Sequence, residues 1–198
     1  MADTTSDAGV PAAFGAAVAA VRAAAVRPEL QIAEITAPAN LAPFAVALAA
    51  DVRPTRHASD SVLGTGRFVL LYDPEEPDAW GGAFRIVCFA QAPLETDIGV
   101  DPFVADVAWS WLVDALDARG AEYLAASGTA TKILSTGYGE LAGQDGAQLE
   151  LRASWSPVDP ASSAHVEGWA DLLAMLAGLP PATEDGVALL SARRSTRG

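Results

Sequence analysis

The 198-residue sequence holds a single cysteine, Cys88, two histidines, His57 and His165, and a single lysine, Lys132. One cysteine excludes an intramolecular disulfide and any zinc site built on paired cysteines, and it fits a reducing compartment. Two histidines leave little for nucleophilic or acid–base catalysis, which needs a base within hydrogen-bond reach of the group it activates. Positive charge is scarce as well: 12 Lys and Arg stand against 25 Asp and Glu, for a net charge of −13. No basic stripe runs along the body of the chain, so it should repel nucleic acid, whose phosphates are neutralised by clustered Lys and Arg. No apolar run reaches the ~18 residues of a membrane span. The apolar stretch 10–21 imitates a signal-peptide core, but Asp3 and Asp7 precede it and no basic residue does. Cytoplasmic localisation is the default expectation.

What is present is a globular composition, 51% hydrophobic and 19% charged, although 43 of the residues are alanine. This suits one domain over 11–181, with residues 1–10 and 182–198 as flexible tails. Phe14, Val18, Val21 and Ala25 recur at helical spacing after Pro11 and stop at Arg27-Pro28. Residues 30–36 give a weak strand signal. Leu41, Phe44, Ala45, Leu48 and Val52 predict a second helix, capped by Asn40 and ending near Arg53-Pro54. Two strands follow, 67–72 and 83–89, joined by the acidic loop 73–82.

Val104, Val107, Ala108, Trp111, Leu112, Ala115 and Leu116 make a wide apolar helix face that Gly120 closes. Residues 129–136 are β-branched and predict a strand. Leu149, Leu151, Ala153 and Trp155 alternate with Glu150, Arg152 and Ser154, the cleanest period-two pattern in the chain. A last helix over about 162–177 places Val166, Trp169, Ala170, Leu173 and Leu176 on one side. The order predicts an α+β two-layer sandwich: a mainly antiparallel sheet of four or five strands, with about four helices packed mostly on one face.

The strings Leu41-Ala-Pro-Phe44, Gly66-Arg-Phe-Val-Leu-Leu-Tyr-Asp-Pro74, Trp109-Ser-Trp-Leu112, Ser127-Gly-Thr129 and Arg152-Ala-Ser-Trp-Ser-Pro157 resemble those of an actinobacterial family catalogued as domain of unknown function number 3000. The resemblance covers roughly 27–181. It implies a single cytoplasmic domain and brings no activity, cofactor or catalytic residue with it.

The chemistry-bearing residues are few. His57 sits in a polar loop three residues before Asp60 and is the acid–base candidate should the chain be an enzyme; a solvated loop histidine is the blander expectation. His165 opens the last helix beside Glu167. Asp73, Glu75, Glu76 and Asp78 supply oxygens for a hard cation, yet Asp78 stands where a calcium loop needs glycine. Gly64-Thr-Gly66 lacks the Lys-Ser/Thr of a phosphate loop and leads into a strand. Cys88 shares a strand face with Phe84 and Ile86 and is expected to be an unreactive core thiol. No metal or cofactor is predicted.

Arg85, Lys132, Glu150, Arg152 and Ser154 are polar positions inside strand patterns. On one sheet face they would form a mixed, mildly basic patch, with Trp80 as an aromatic anchor at the adjoining loop. Solvated cross-strand ion pairs are the alternative. Trp109 and Trp111 point about 200° apart on a helix, so a buried Trp111 leaves Trp109 at the margin, against a loop or a partner. Two functions follow as expectations. One is a non-enzymatic module that binds a protein partner or a second copy through an open sheet face. The other is a small-molecule-binding protein or enzyme with a pocket between the sheet and the 102–119 helix.

Overall fold

The computed structural model describes residues 9–53 and 62–180. His57, the segment 182–198 and most of 1–10 lie outside the described residues. The elements run α1 (Ala12–Ala23), β1 (Leu30–Ile35), β2 (Phe44–Val52), β3 (Gly64–Tyr72), β4 (Phe84–Leu94), α2 (Thr96–Gly99), α3 (Val104–Ala118), β5 (Tyr123–Ser135), β6 (Gly146–Pro157) and α4 (Ala164–Leu176). The α+β class and the antiparallel sheet are as expected; among the described residues the sheet has six strands instead of four or five, in the order β1-β2-β3-β4-β6-β5, and every neighbouring pair is antiparallel. The chain leaves β4 through α2 and α3, returns as β5 one position beyond its neighbour, and β6 fills the gap between them.

The sixth strand is the segment expected as the second helix. Its residues satisfy two periods at once, because Phe44, Val46, Leu48, Ala50 and Val52 also alternate at period two. Alanines at 45, 47 and 49 fit either reading, being small enough for any apolar environment. The sheet decides it: Val46, Leu48, Ala50 and Val52 are buried on one side and Ala47 on the other, between β1 and β3. Asn40 has φ 65° and turns the chain instead of capping a helix.

One large core joins the alternate residues of β2, β3, β4 and β6 to Phe14, Ala17 and Val21 of α1, Ala108, Leu112 and Leu116 of α3, and Val166, Trp169 and Leu173 of α4. Leu149, Leu151, Ala153 and Trp155 are all buried, as their alternation predicts. Gly64-Thr-Gly66 opens β3, and Gly66 makes room for α4: a Cβ there would come within 2.7 Å of Trp169 and of Leu173. A smaller cluster, Ala47, Val69 and Leu71 with Ala45 and Trp80, lies on the opposite sheet face at one end. The rest of that face is left to solvent-accessible side chains, and it holds the candidate site.

Candidate functional site on the open sheet face

Register across the sheet decides which polar side chains meet. Arg67 of β3, Phe89 of β4, Arg152 of β6 and Thr129 of β5 are aligned in one row. The adjacent rows are Val69, Val87, Ser154 and Ser127 on one side, and Thr65, Gln91, Glu150 and Thr131 on the other. Arg152 is 71% exposed, and its guanidinium lies 5.5 Å from the centroid of the Phe89 ring, a cation–π arrangement. Glu150 approaches Arg152 at 3.5 Å, a pair of small energetic weight because the arginine is largely in solvent. Arg67 is exposed and donates from one terminal nitrogen to its neighbour's carbonyl, Gly66 O, at 2.8 Å. Together Arg67, Val69, Val87, Phe89 and Arg152 border an open depression of about 410 Å³. Two planar guanidiniums flanking an aromatic ring can take carboxylates bidentately and offer an apolar surface between them.

Arg85 belongs to the same face but has a different task. It donates to Ser154 Oγ at 2.7 Å, to Ser156 Oγ at 3.2 Å and to Ala125 O at 3.0 Å, reaching across β6 to β5. At that point β5 shifts register between Leu124 and Ser127, and Ala125 takes φ 50°, a conformation an L residue adopts only when held. Arg85 therefore pins a β-bulge, and burial holds its pKa below the ordinary arginine value. Ser156 Oγ in turn donates to Trp80 O at 2.6 Å, tying the 73–83 loop down. Trp80 packs on Ala47, Val69 and Leu71, next to the arginine row.

The expected set does not all converge. Arg85, Glu150, Arg152 and Ser154 share the open face, with Trp80 at its margin. Lys132 does not: it pairs with Leu149, whose side chain is in the core, and its ammonium donates to Asp101 O at 2.8 Å on the helix side. Trp109 is also on the helix side, its ring against Gly128, where a Cβ would come within 2.5 Å of it. Both Trp109 and Trp111 are partly buried against the core, on opposite flanks of α3. Arg67 and Phe89 complete the row, and no local sequence pattern marks them, because only the three-strand register brings them beside Arg152.

The other candidates find ordinary environments. His165 is buried, and its Nδ1 accepts a hydrogen bond from Trp155 Nε1 at 3.2 Å. Burial pushes its pKa down to about 4, so the ring is neutral at pH 7. Cys88 is buried in the core and its thiol is pushed up to about 12 by the same cause. Asp73 accepts from Glu75 N at 3.0 Å in a turn, and among the described residues no three His, Cys, Asp or Glu gather as a metal site. Ala108, Leu112, Ala115 and Leu116 of α3 are buried in packing; one hollow bordering this helix opens between α3 and α4, lined by Ala115, Ala118, Ala174 and Met175, and another lies at its C-terminal end beside β5, lined by Asp117, Ala121 and Tyr123. No described helix is long and apolar enough to cross a membrane.

Comparison with known proteins finds no match among curated proteins or solved structures. A family model does match, over residues 10–188, which takes in every element of the fold and the whole arginine row. The chain thus belongs to the family described as "Protein of unknown function (DUF3000)".

Proposed function

We propose that this chain is a non-enzymatic interaction module that binds a partner protein on its open sheet face, with an acidic segment of the partner seated on Arg67, Phe89 and Arg152. The row itself carries this reading. A chain of net charge −13 places two exposed arginines on either side of an aromatic ring, on the part of the sheet that neither helices nor the Trp80 loop cover. Aromatic and arginine side chains are the residues most often responsible for interface affinity, and an acidic partner supplies the charge that the rest of this surface repels. Trp80, fixed beside the row, extends the apolar part of the contact.

Arg85, held inside the bulge network, supports this face without being free to bind. The discriminating variant is therefore Arg67→Glu with Arg152→Glu. Cross-linking mass spectrometry on cells of the source organism should recover a partner joined to open-face residues of the natural chain and lose it in the double variant. Arg22→Glu, a substitution on α1, should leave it in place. Retention of the partner by the double variant would overturn the proposal. Raising salt should weaken the association, since the contact is between opposite charges.

A further inference from the structure

We propose that the free edge of β5 pairs antiparallel with β5 of a second copy of this chain, so that two sheets join into one. β5 ends the strand order; among the described residues β6 is its one strand neighbour. An unpaired edge presents a row of N–H and C=O groups that another strand satisfies, and folded proteins commonly guard such edges with lysine, proline, acidic side chains or bulges. β5 is unguarded where it is regular. From Ser127 to Ser135 its register with β6 is unbroken, and its bulge lies outside that stretch, at Leu124/Ser127. It contains no proline, and its one charge, Lys132, is turned onto the helix side and bound to Asp101 O.

The charge pattern selects a second copy as the occupant. In a chain with 25 Asp and Glu, the segment Tyr123–Gly139 has none. Two such edges meet without bringing carboxylates together, whereas most other self-contacts of so acidic a surface would. The opposite edge of the sheet shows the contrast: β1 is six residues long and carries Glu34, which Arg22 grips at 2.9 Å. On β5 the side chains flanking the edge are Thr129 and Thr131 on the open face, with Ile133 38% and Leu134 54% exposed, a set suited to cross-strand pairing. A two-fold axis perpendicular to the sheet keeps both open faces on the same side, so the two arginine rows share one surface. The inference stands apart from the partner reading, because it uses the edge and not the face.

The test is sedimentation velocity of the full chain at tens of micromolar, in about 50 mM and about 500 mM NaCl. A dimer is expected, its fraction rising with salt, because the far-field repulsion between two acidic chains is screened while the edge contact is uncharged. This is the opposite of the salt response expected for the arginine row. Thr131→Lys with Ile133→Lys should give a monomer under the same conditions although it moves the net charge toward zero, with the circular dichroism spectrum unchanged. Thr131→Cys should form a disulfide-linked dimer on mild oxidation and Ala33→Cys on β1 should not, Cys88 being buried and silent. A monomer at both salt concentrations, a dimer indifferent to the two lysines, or cross-linking at Ala33→Cys as fast as at Thr131→Cys would each overturn the inference.

Discussion

Protonation of His165 should set how this fold responds to mild acid. The ring is buried, accepts the Trp155 indole N–H at 3.2 Å, and has a pKa lowered to about 4 from an ordinary 6.5 by desolvation. An unfolded chain takes up a proton as pH falls through 6.5, while the native chain refuses it until about 4. The unfolded state thus holds more protons in that window, and stability rises with pH across it. The cost is absent well above the unfolded value and complete below the native one, where it reaches about 3 kcal/mol. Between pH 7 and pH 5 the same linkage removes about 2 kcal/mol, or roughly 4–8 °C of Tm for a domain of this size. Other groups titrate too: Glu29 and Glu34 are held low by Arg27 and Arg22, so their contributions fade at more acidic pH, and the shrinking negative charge acts the other way. Thermal unfolding of the natural chain and of His165→Gln, at fixed ionic strength and several pH values, isolates the term by difference. Glutamine can still accept from Trp155 but does not titrate. Parallel pH dependences in the two proteins would mean that His165 does not set the response to acid.

Three further outcomes follow from packing and bonding. Gly66→Ala should destabilise the fold by about 1–3 kcal/mol, because the added Cβ meets Trp169 and Leu173 at 2.7 Å and forces α4 off β3; urea denaturation measures it. Arg85→Met should cost about 1–3 kcal/mol by leaving Ala125 O and two serine hydroxyls without their donor, and hydrogen exchange should quicken over 123–127 ahead of the rest of the sheet. Cys88, with its thiol pushed up to about 12, should react with a disulfide reagent only as fast as the protein opens, and rapidly once urea unfolds it.

Burial and period were readable where they reinforced each other. β6 alternates large apolar with polar residues, and α3 and α4 carry wide apolar stripes, so local pattern and tertiary environment agree there. β2 failed because alanine contributes to a helical and a strand period alike, and only its place between β1 and β3 resolves the ambiguity. The candidate site was partly legible. Glu150, Arg152 and Ser154 are on the open face because they alternate with buried residues of their own strand. Lys132 went to the other face because Thr129 to Ser135 has no contrast between its two sides: threonine, isoleucine and serine alternate with alanine, lysine and leucine. Arg67 and Phe89 were hidden by distance along the chain; it is the register of three strands, 67 with 89 with 152, that makes them a row.

The proposed partner sits on this row. The most direct measurement places a photo-activatable cross-linking residue at Val87, in the adjacent row, and in parallel at Ser110 on the outer side of α3, in protein expressed in its source cells. An adduct with an acidic protein segment is expected from position 87, absent from position 110 and lost when Arg67→Glu and Arg152→Glu are added. An adduct from position 110 alone, or one from position 87 that survives both substitutions, would contradict it.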